Sequence, residues 1–254
     1  MKHTVTRLIQ SARRAALPLL FSLLALGFAI PATTLAASAA SARTNTVSCG
    51  GNLSCVINFG NQQIQDRLNS LNTLNGRISY WLNKQAITST QASALQSDVS
   101  TNESGLNSLQ SKLDAETSIQ NAREDVRTLY DQFRIYVVVL PRDYRTIHAD
   151  IAGNIDAKLQ GMESGLQGDI NSAPSSEQSQ LTSYYNNFVM EVNDAANDVG
   201  TAQNGLIVLT PANFNANPTS YKATLASVTT ADQNAHHELH QCGYDLNQIE
   251  KILG

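Results

Sequence analysis

The sequence has few of the residue types that would reveal a chemistry directly. It contains three cysteines, one tryptophan and 15% charged residues among 254 positions, and no Cys-x-x-Cys spacing. The motifs of serine hydrolases and phosphate-binding loops are missing, and so is any pattern of paired carboxylates. Metal binding by the cysteines is therefore the least favoured use for them. The sequence predicts a protein without catalytic residues, metal ion or cofactor.

Long apolar runs are missing too, except at the beginning of the chain. Basic residues precede the apolar segment 15–30, and small residues follow it. This order is typical of a secretory signal peptide. We expect the peptide to cover 1–36, with cleavage after Ala39 or Ala42 as the alternatives. A membrane anchor is less favoured because the run is short and contains Pro18.

Positive charge is also scarce once this leader is set aside. Four of the 17 lysines and arginines and none of the 21 acidic residues lie in 1–36, so the remainder has a formal charge of −8. An acidic surface with scattered basic residues argues against nucleic acid or an anionic membrane as partner. We expect a secreted, periplasmic or cell-surface protein whose partner is another protein or an envelope component.

The three cysteines allow more than one disulfide. Export permits oxidation, and an odd number of cysteines leaves one thiol over. Cys49 and Cys55 could close a small ring, or one of them could reach Cys242 and join the two ends of the chain. We expect residues 37–57 to form a flexible segment that carries the first two cysteines.

The rest of the chain, 58–254, has the apolar periodicity of helices and predicts a single elongated all-α domain. Thr88 and Gln91 have the spacing of a capping box, which marks a helix start. Asn171 to Ser176 contains Pro174 and predicts a turn. Helices are predicted at about 58–85, 88–140, 142–172, 176–209 and 218–253.

The segment 176–209 has the clearest pattern, because its apolar positions alternate in steps of four and three. This spacing is typical of a coiled coil, and the preceding helix is the expected antiparallel partner. In that register Leu140 lies opposite Leu209, and a proline follows each apolar run, at Pro141 and Pro211.

We expect Pro141 to kink a long central helix rather than to reverse it. The last helix is expected to pack on the first helix and on the first half of the second. The predicted fold is therefore an elongated antiparallel bundle or coiled-coil hairpin with a kinked central helix. It has three helices at one end and a two-helix arm at the other.

One histidine pair could bind metal. His236 and His240 are four residues apart and share a helix face, with Asp232 one turn earlier. The string is one residue short of the zinc-protease spacing, and no further ligand is evident. A solvated helix face is the favoured interpretation, and no metal site is predicted.

A second polar cluster follows Pro141, in the segment 142–150. Helix irregularities with nearby charge can mark binding sites because free carbonyls and polar side chains converge there. Ion pairs on a helix surface are the more common explanation. The cluster consists of Arg142, Asp143, Arg145, His148 and Asp150.

The segment 133–150, Phe-Arg-Ile-Tyr-Val-Val-Val-Leu-Pro-Arg-Asp-Tyr-Arg-Thr-Ile-His-Ala-Asp, resembles a loose group of uncharacterised exported bacterial proteins with long helices. In that group a Tyr/Val-rich helix leads into a Pro-basic step and then into a helix bearing Ala-Asp. The resemblance implies export and an extended helical fold, and it assigns no catalytic or binding residue.

Three functions follow from these patterns. The favoured one is a non-enzymatic exported helical protein that serves as a structural, spacer or binding module at the cell envelope. The first alternative is a membrane-active helical protein, although the apolar stretch before Pro141 is short for spanning a bilayer. The second is a metal-binding protein that uses the face of His236 and His240.

Overall fold

The computed structural model describes residues 49–254, and this part of the chain is helical without a strand. The all-α prediction is confirmed. The predicted leader 1–36 and the following residues to 48 lie outside the described part. The elements are α1 (Leu53–Asn83), α2 (Ser89–Asp114), α3 (Ile119–Thr128), two π-helical segments (Leu129–Phe133 and Ile135–Val139), α4 (Leu140–Gln160), α5 (Glu163–Asn171), α6 (Ser175–Ile207), α7 (Pro211–Ala216) and α8 (Pro218–Leu253).

The first helix begins earlier than the sequence suggested. A disulfide joins Cys49 to Cys55, and Asn52 between them caps α1 by accepting a bond from the Cys55 amide at 3.0 Å. Because the capped ring leads directly into the helix, the prediction of a flexible segment up to residue 57 is wrong from Leu53 onward.

The predicted helix over 88–140 is interrupted by a reversal of the chain at 115–118. α2 ends at Asp114, and Ser118 then caps α3 by accepting a bond from the Asn121 amide. An ion pair between Lys112 and Asp125 connects the two sides of the turn. In the sequence, the helical spacing of the apolar residues changes phase between Asp114 and Ser118. That change marks a turn, and the prediction of one helix over 88–140 is wrong.

Irregular backbone occurs at Arg134 rather than at Pro141. Arg134 is left-handed, with φ 44° and ψ 38°, and it separates the two π-helical segments. Pro141 is the second residue of α4, but the π-helical segment Ile135–Val139 passes into α4 without a break, so the missing amide lies within a continuous helical run. The predicted kink at Pro141 remains a prediction. The predicted helix 142–172 is also divided, because α4 ends at Gln160 and α5 begins at Glu163.

A buried arginine fixes the π-helical stretch to α1. The Arg67 guanidinium lies 4.8 Å from the ring centre of Tyr130 and 5.0 Å from that of Tyr136. It also donates to the Gln63 carbonyl at 2.7 Å. Burial lowers the pKa of Arg67, while the two tyrosines oppose that change. These cation–π contacts are shielded from water, and they hold the π-helical segments against α1.

One compact unit consists of residues 49–150 and 201–230. Its core is a three-helix bundle in which α1 is antiparallel to α2, since Asn61 bonds Asp114 while Gln65 bonds Gln110. α3 then runs back along α2. At Gly60 the helices approach closely, because a Cβ there would lie 2.4 Å from Leu113 Cδ2.

A second unit consists of residues 151–200 and 231–254. Phe188 of α6 and Cys242 of α8 are both fully buried in it, and the thiol donates to the Phe188 carbonyl at 3.9 Å. The final part of α8 therefore packs with the segment 151–200. The predicted packing of the last helix on the first two, with a two-helix arm beyond, remains a prediction, while α3 packs on both α1 and α2.

The predicted contact between Leu140 and Leu209 remains a prediction. Both side chains are buried in the first unit, and Pro211 begins α7 behind the capping residue Thr210. Nearby, Gln203 of α6 donates to Asp150 of α4. This pairing differs by one helical turn from the register that places Leu140 opposite Leu209.

Candidate functional site

The first unit contains a cleft of about 450 Å³. The beginning of α2, the first half of α4 and the end of α6 line it. Its polar side chains are those of Thr90, Gln91, Asp98, Arg142, Asp143, Thr146, Asp150 and Gln203. Ala94, Leu95, Leu206 and Ile207 form its apolar wall.

Helix starts place the polar groups in the cleft. Thr88 and Gln91 form the predicted capping box, with both reciprocal bonds present, and this sets where α2 begins. On α4, Asp143 and Asp150 are seven residues apart, so they lie on one face two turns from each other. Pro141 lies just before Asp143, where the π-helical segment Ile135–Val139 passes directly into α4.

One arginine holds two carboxylates together. Arg142 Nε donates to Asp143 Oδ1 at 2.7 Å, and Arg142 Nη2 donates to Asp98. Burial raises the pKa of Asp143 to about 7; Arg142 opposes this rise and Asp98 adds to it. Asp143 is 2% exposed, and its Oδ2 is a buried oxygen without a hydrogen-bond partner in the described structure. A buried acceptor in this state is rare and costly.

A second buried carboxyl lies two turns further along α4. Burial raises the pKa of Asp150 to about 6, although hydrogen bonds from Gln203 and Gln91 oppose the rise. The bond from Gln203 Nε2 to Asp150 Oδ1 measures 3.3 Å. Arg142 balances the negative charge of Asp98. The cleft therefore has a net negative charge once Asp143 and Asp150, the two carboxyls with raised pKa, are ionised.

The sequence identified the residues that α4 contributes to this cleft and missed those of α2 and α6. Arg142, Asp143 and Asp150 belong to the predicted polar cluster, whereas its members Arg145 and His148 are not among the cleft residues. The sequence has no pattern of paired carboxylates, and Asp98 and Asp143 come together only through their bonds to Arg142. The capping box identifies Gln91 only as a residue of a helix start. Asp98 and Gln203 carry no local signal, because only the turn at 115–118 and the return of α6 bring them close.

The histidine pair lies in the second unit. The rings of His236 and His240 are tilted, with centres 6.0 Å apart. Burial, followed by the charge of His240, lowers the pKa of His236. Asp232 precedes them by one turn on α8. Within residues 49–254 no group of three or more histidine, cysteine, aspartate or glutamate side chains is arranged to hold a metal ion.

The third cysteine is a buried thiol. Burial raises the pKa of Cys242 to about 12, and the charges of Glu191, Asp156 and Asp245 add to this effect. A thiol in such surroundings is a poor nucleophile. Cys242 forms no disulfide, because Cys49 and Cys55 are bonded to each other.

Comparison with known proteins leaves the geometry as the basis for a functional argument. No family model, curated protein or solved structure matches the sequence. Among the helices of residues 49–254, none is both long and apolar enough to cross a bilayer.

Proposed function

We propose that this is an exported, non-enzymatic helical protein that acts as a binding module in the secreted, periplasmic or cell-surface compartment. The observation that carries the binding role is the cleft of the first unit, in which Arg142 fixes Asp98 and Asp143 beside an apolar wall. A concave site with a few converging polar groups is the usual form of a ligand site. The basic, apolar and small-residue order of 1–36 supports export.

A spacer or structural role at the envelope belongs to the same proposal. The three-four seam of 176–209 supports an antiparallel coiled-coil hairpin with the preceding helix. On the sequence pattern we also propose an elongated molecule. Small-angle scattering of the mature chain 37–254 tests this, since a compact domain of that length has a radius of gyration of about 17 Å. A measured value near that figure would remove the spacer role and leave the binding role intact.

Acid–base catalysis is the second candidate, because two carboxyls with raised pKa lie in one cleft. Such carboxyls are frequent in active sites. The Arg142 contacts to Asp98 and Asp143, and the lack of a cysteine or histidine among the cleft residues, favour binding instead. Hydrolysis of an ester, phosphate or glycan that disappears in Asp143→Asn and Asp150→Asn would establish catalysis.

Fractionation of the native cells tests export. We expect the mature protein in the envelope or the medium, with a new amino terminus near residue 37. A matched variant that lacks 1–36 should stay in the cytoplasm. Full-length protein in the cytoplasm, with residue 1 still present, would contradict the proposal.

A further inference from the structure

We propose that residues 208–220, which contain α7, form a strap that opens and closes beside the cleft, and that Arg134 is the latch of the closed state. The strap and its latch both belong to the first unit. This device goes beyond the proposed binding role, because it concerns how the first unit moves and is the same for any ligand.

The strap contributes little to the core of the first unit. None of the six residues that the structure describes in α7 is buried. Non-helical residues flank α7 on both sides, at 208–210 and at Asn217. Leu209 near the beginning of the strap and Tyr221 directly after it are buried, and they hold its two ends. A segment with few buried apolar contacts between irregular connections opens at a low cost in free energy.

Arg134 holds the middle of the strap. Its Nε donates to the side-chain oxygen of Asn215, and its guanidinium lies 4.5 Å from the ring centre of Phe214. Asn215 Nδ2 in turn donates to the backbone carbonyl of Asp131 at 2.5 Å. The Arg134 side chain therefore links α7 to the junction between the two π-helical segments.

The backbone conformation of Arg134 is one for which glycine is the usual residue. Its φ of 44° and ψ of 38° lie in the left-handed region, where a side chain costs free energy and glycine does not. This conformation turns its carbonyl toward three amides, those of Val137, Val138 and Val139, at 3.2, 2.8 and 3.4 Å. Glycine would accept the same bonds, so they do not explain an arginine. The contacts to α7 do explain it, and strained residues of this kind cluster in switch regions.

The closed state also buries a hydroxyl without a partner. Tyr221 is 4% exposed, and its hydroxyl has no hydrogen-bond partner in the described structure. The Phe214 ring of the strap lies edge-on to the Tyr221 ring, with centres 5.0 Å apart. When α7 moves away, Phe214 leaves this ring and water reaches the hydroxyl. The missing hydrogen bond therefore raises the free energy of the closed state and brings it closer to that of the open state.

Both ends of the strap lie at the cleft. Leu206 and Ile207, which directly precede the strap, belong to the apolar wall. Burial raises the pKa of Tyr221 while the charges of Arg142 and Arg145 oppose the rise, so Tyr221 lies near the arginine of the cleft. Opening of the strap therefore loosens this wall and changes the width of the cleft.

Hydrogen exchange of the mature chain 37–254, with its disulfide intact, tests the proposal by mass spectrometry. Peptides that cover 208–217 report the strap, and peptides of α1 report global unfolding. In the wild type we expect the strap to exchange about a hundredfold faster than α1 or more, because it opens while the bundle stays folded. Exchange of both segments at one rate would overturn the proposal.

Variants of the latch decide whether Arg134 holds the strap closed. Arg134→Gly keeps the left-handed backbone and removes the side-chain contacts to α7, so the strap should exchange about tenfold faster while α1 keeps its rate. The control Arg127→Gln removes an arginine that, like Arg134, pairs with an acidic residue three positions earlier. It should change neither rate. An unchanged strap in Arg134→Gly, or equal acceleration of the strap and α1, would contradict the latch.

Two further variants change the strap and its anchor. Asn215→Ala removes an exposed side chain and should also speed the exchange of the strap, and it decides the result if Arg134→Gly does not fold. Tyr221→Phe removes the unpaired hydroxyl and should slow the exchange about fivefold or more, because the closed state no longer bears that cost. Circular dichroism checks the folding of each variant. Exchange of the strap at the wild-type rate in Asn215→Ala, or at that rate or faster in Tyr221→Phe, would refute the proposed device.

Discussion

At the scale of single residues, packing is tightest where a glycine allows helices to touch. A Cβ at Gly60 would lie 2.4 Å from Leu113 and 2.9 Å from Val126, whereas at Gly76 nothing lies within 4 Å. We expect Gly60→Ala to lower the free energy of unfolding by about 1–3 kcal/mol through overpacking. Gly76→Ala should raise it by about 0.5–1 kcal/mol, because alanine favours the helix. Urea unfolding of both variants measures the difference, and equal stabilisation by both would contradict the close approach.

The Asp150 carboxyl gives a pH-dependent prediction. Its pKa is about 6 in the fold and about 3.9 in an unfolded chain, so the folded state holds the proton more tightly. The penalty for ionisation is therefore absent below about pH 4, grows up to about pH 6 and is complete above it. We expect Asp150→Asn to raise the free energy of unfolding by about 1–2 kcal/mol at about pH 8, after allowance for solvent screening, and to leave it unchanged at about pH 4.

Thermal unfolding of wild type and Asp150→Asn at both pH values checks this prediction. Glu124→Gln is the control, since its carboxyl is largely exposed and should show no such difference. A shift of equal size at both pH values would mean that Asp150 is not buried as the structure has it.

The cysteines provide a chemical test of the disulfide. Cys49 and Cys55 are bonded, and Cys242 is a buried thiol with its pKa raised to about 12. We therefore expect no reaction of the native protein with a thiol reagent, and one thiol per chain after unfolding without reductant. A native protein that reacts at once would indicate that Cys242 is paired and that Cys49 or Cys55 is free.

At the scale of helices, the caps decide where elements begin. The Thr88 side chain accepts from the Gln91 amide, and the Gln91 side chain accepts from the Thr88 amide at 2.8 Å. We expect Thr88→Ala to lower the free energy of unfolding by about 1 kcal/mol. Thr73 is the matched control, because it is exposed within α1 and bonds only its own helix backbone. Chemical denaturation should show no loss in Thr73→Ala, and an equal loss in both variants would rule out the cap.

Helix starts with strong local signals could be predicted from the sequence, and the weaker turn could not. The capping box at Thr88 and the turn before Ser175 depend on side chains within a few residues of each other. The reversal at 115–118 has one capping serine and neither glycine nor proline. A slip of apolar phase there fits a turn or a continuous helix equally well. The irregular backbone at Arg134 also has no local signal, because neither glycine nor proline lies beside it.

At the scale of the whole molecule, the sequence predicts the class of secondary structure better than it predicts which helices pack together. Apolar periodicity sets the all-α class because each helix must bury one face. It does not choose the neighbour, and so it gives no sign that α3 packs on α1 and α2. The cleft shows the same division. Arg142, Asp143 and Asp150 could be identified because they are adjacent in sequence, whereas Asp98 and Gln203 reach them only through tertiary contacts.

The central claim is that separate helices bring Asp98, Arg142 and Asp143 together in a buried, charged cleft. The most direct measurement is carbon-13 NMR of the aspartate carboxyl groups of the mature chain, followed from acid to mildly alkaline pH. We expect one carboxyl with a pKa of about 7, whose signal is lost in Asp143→Asn. If every aspartate titrates near its ordinary value of about 3.9, Asp143 is exposed to water and the cleft does not form.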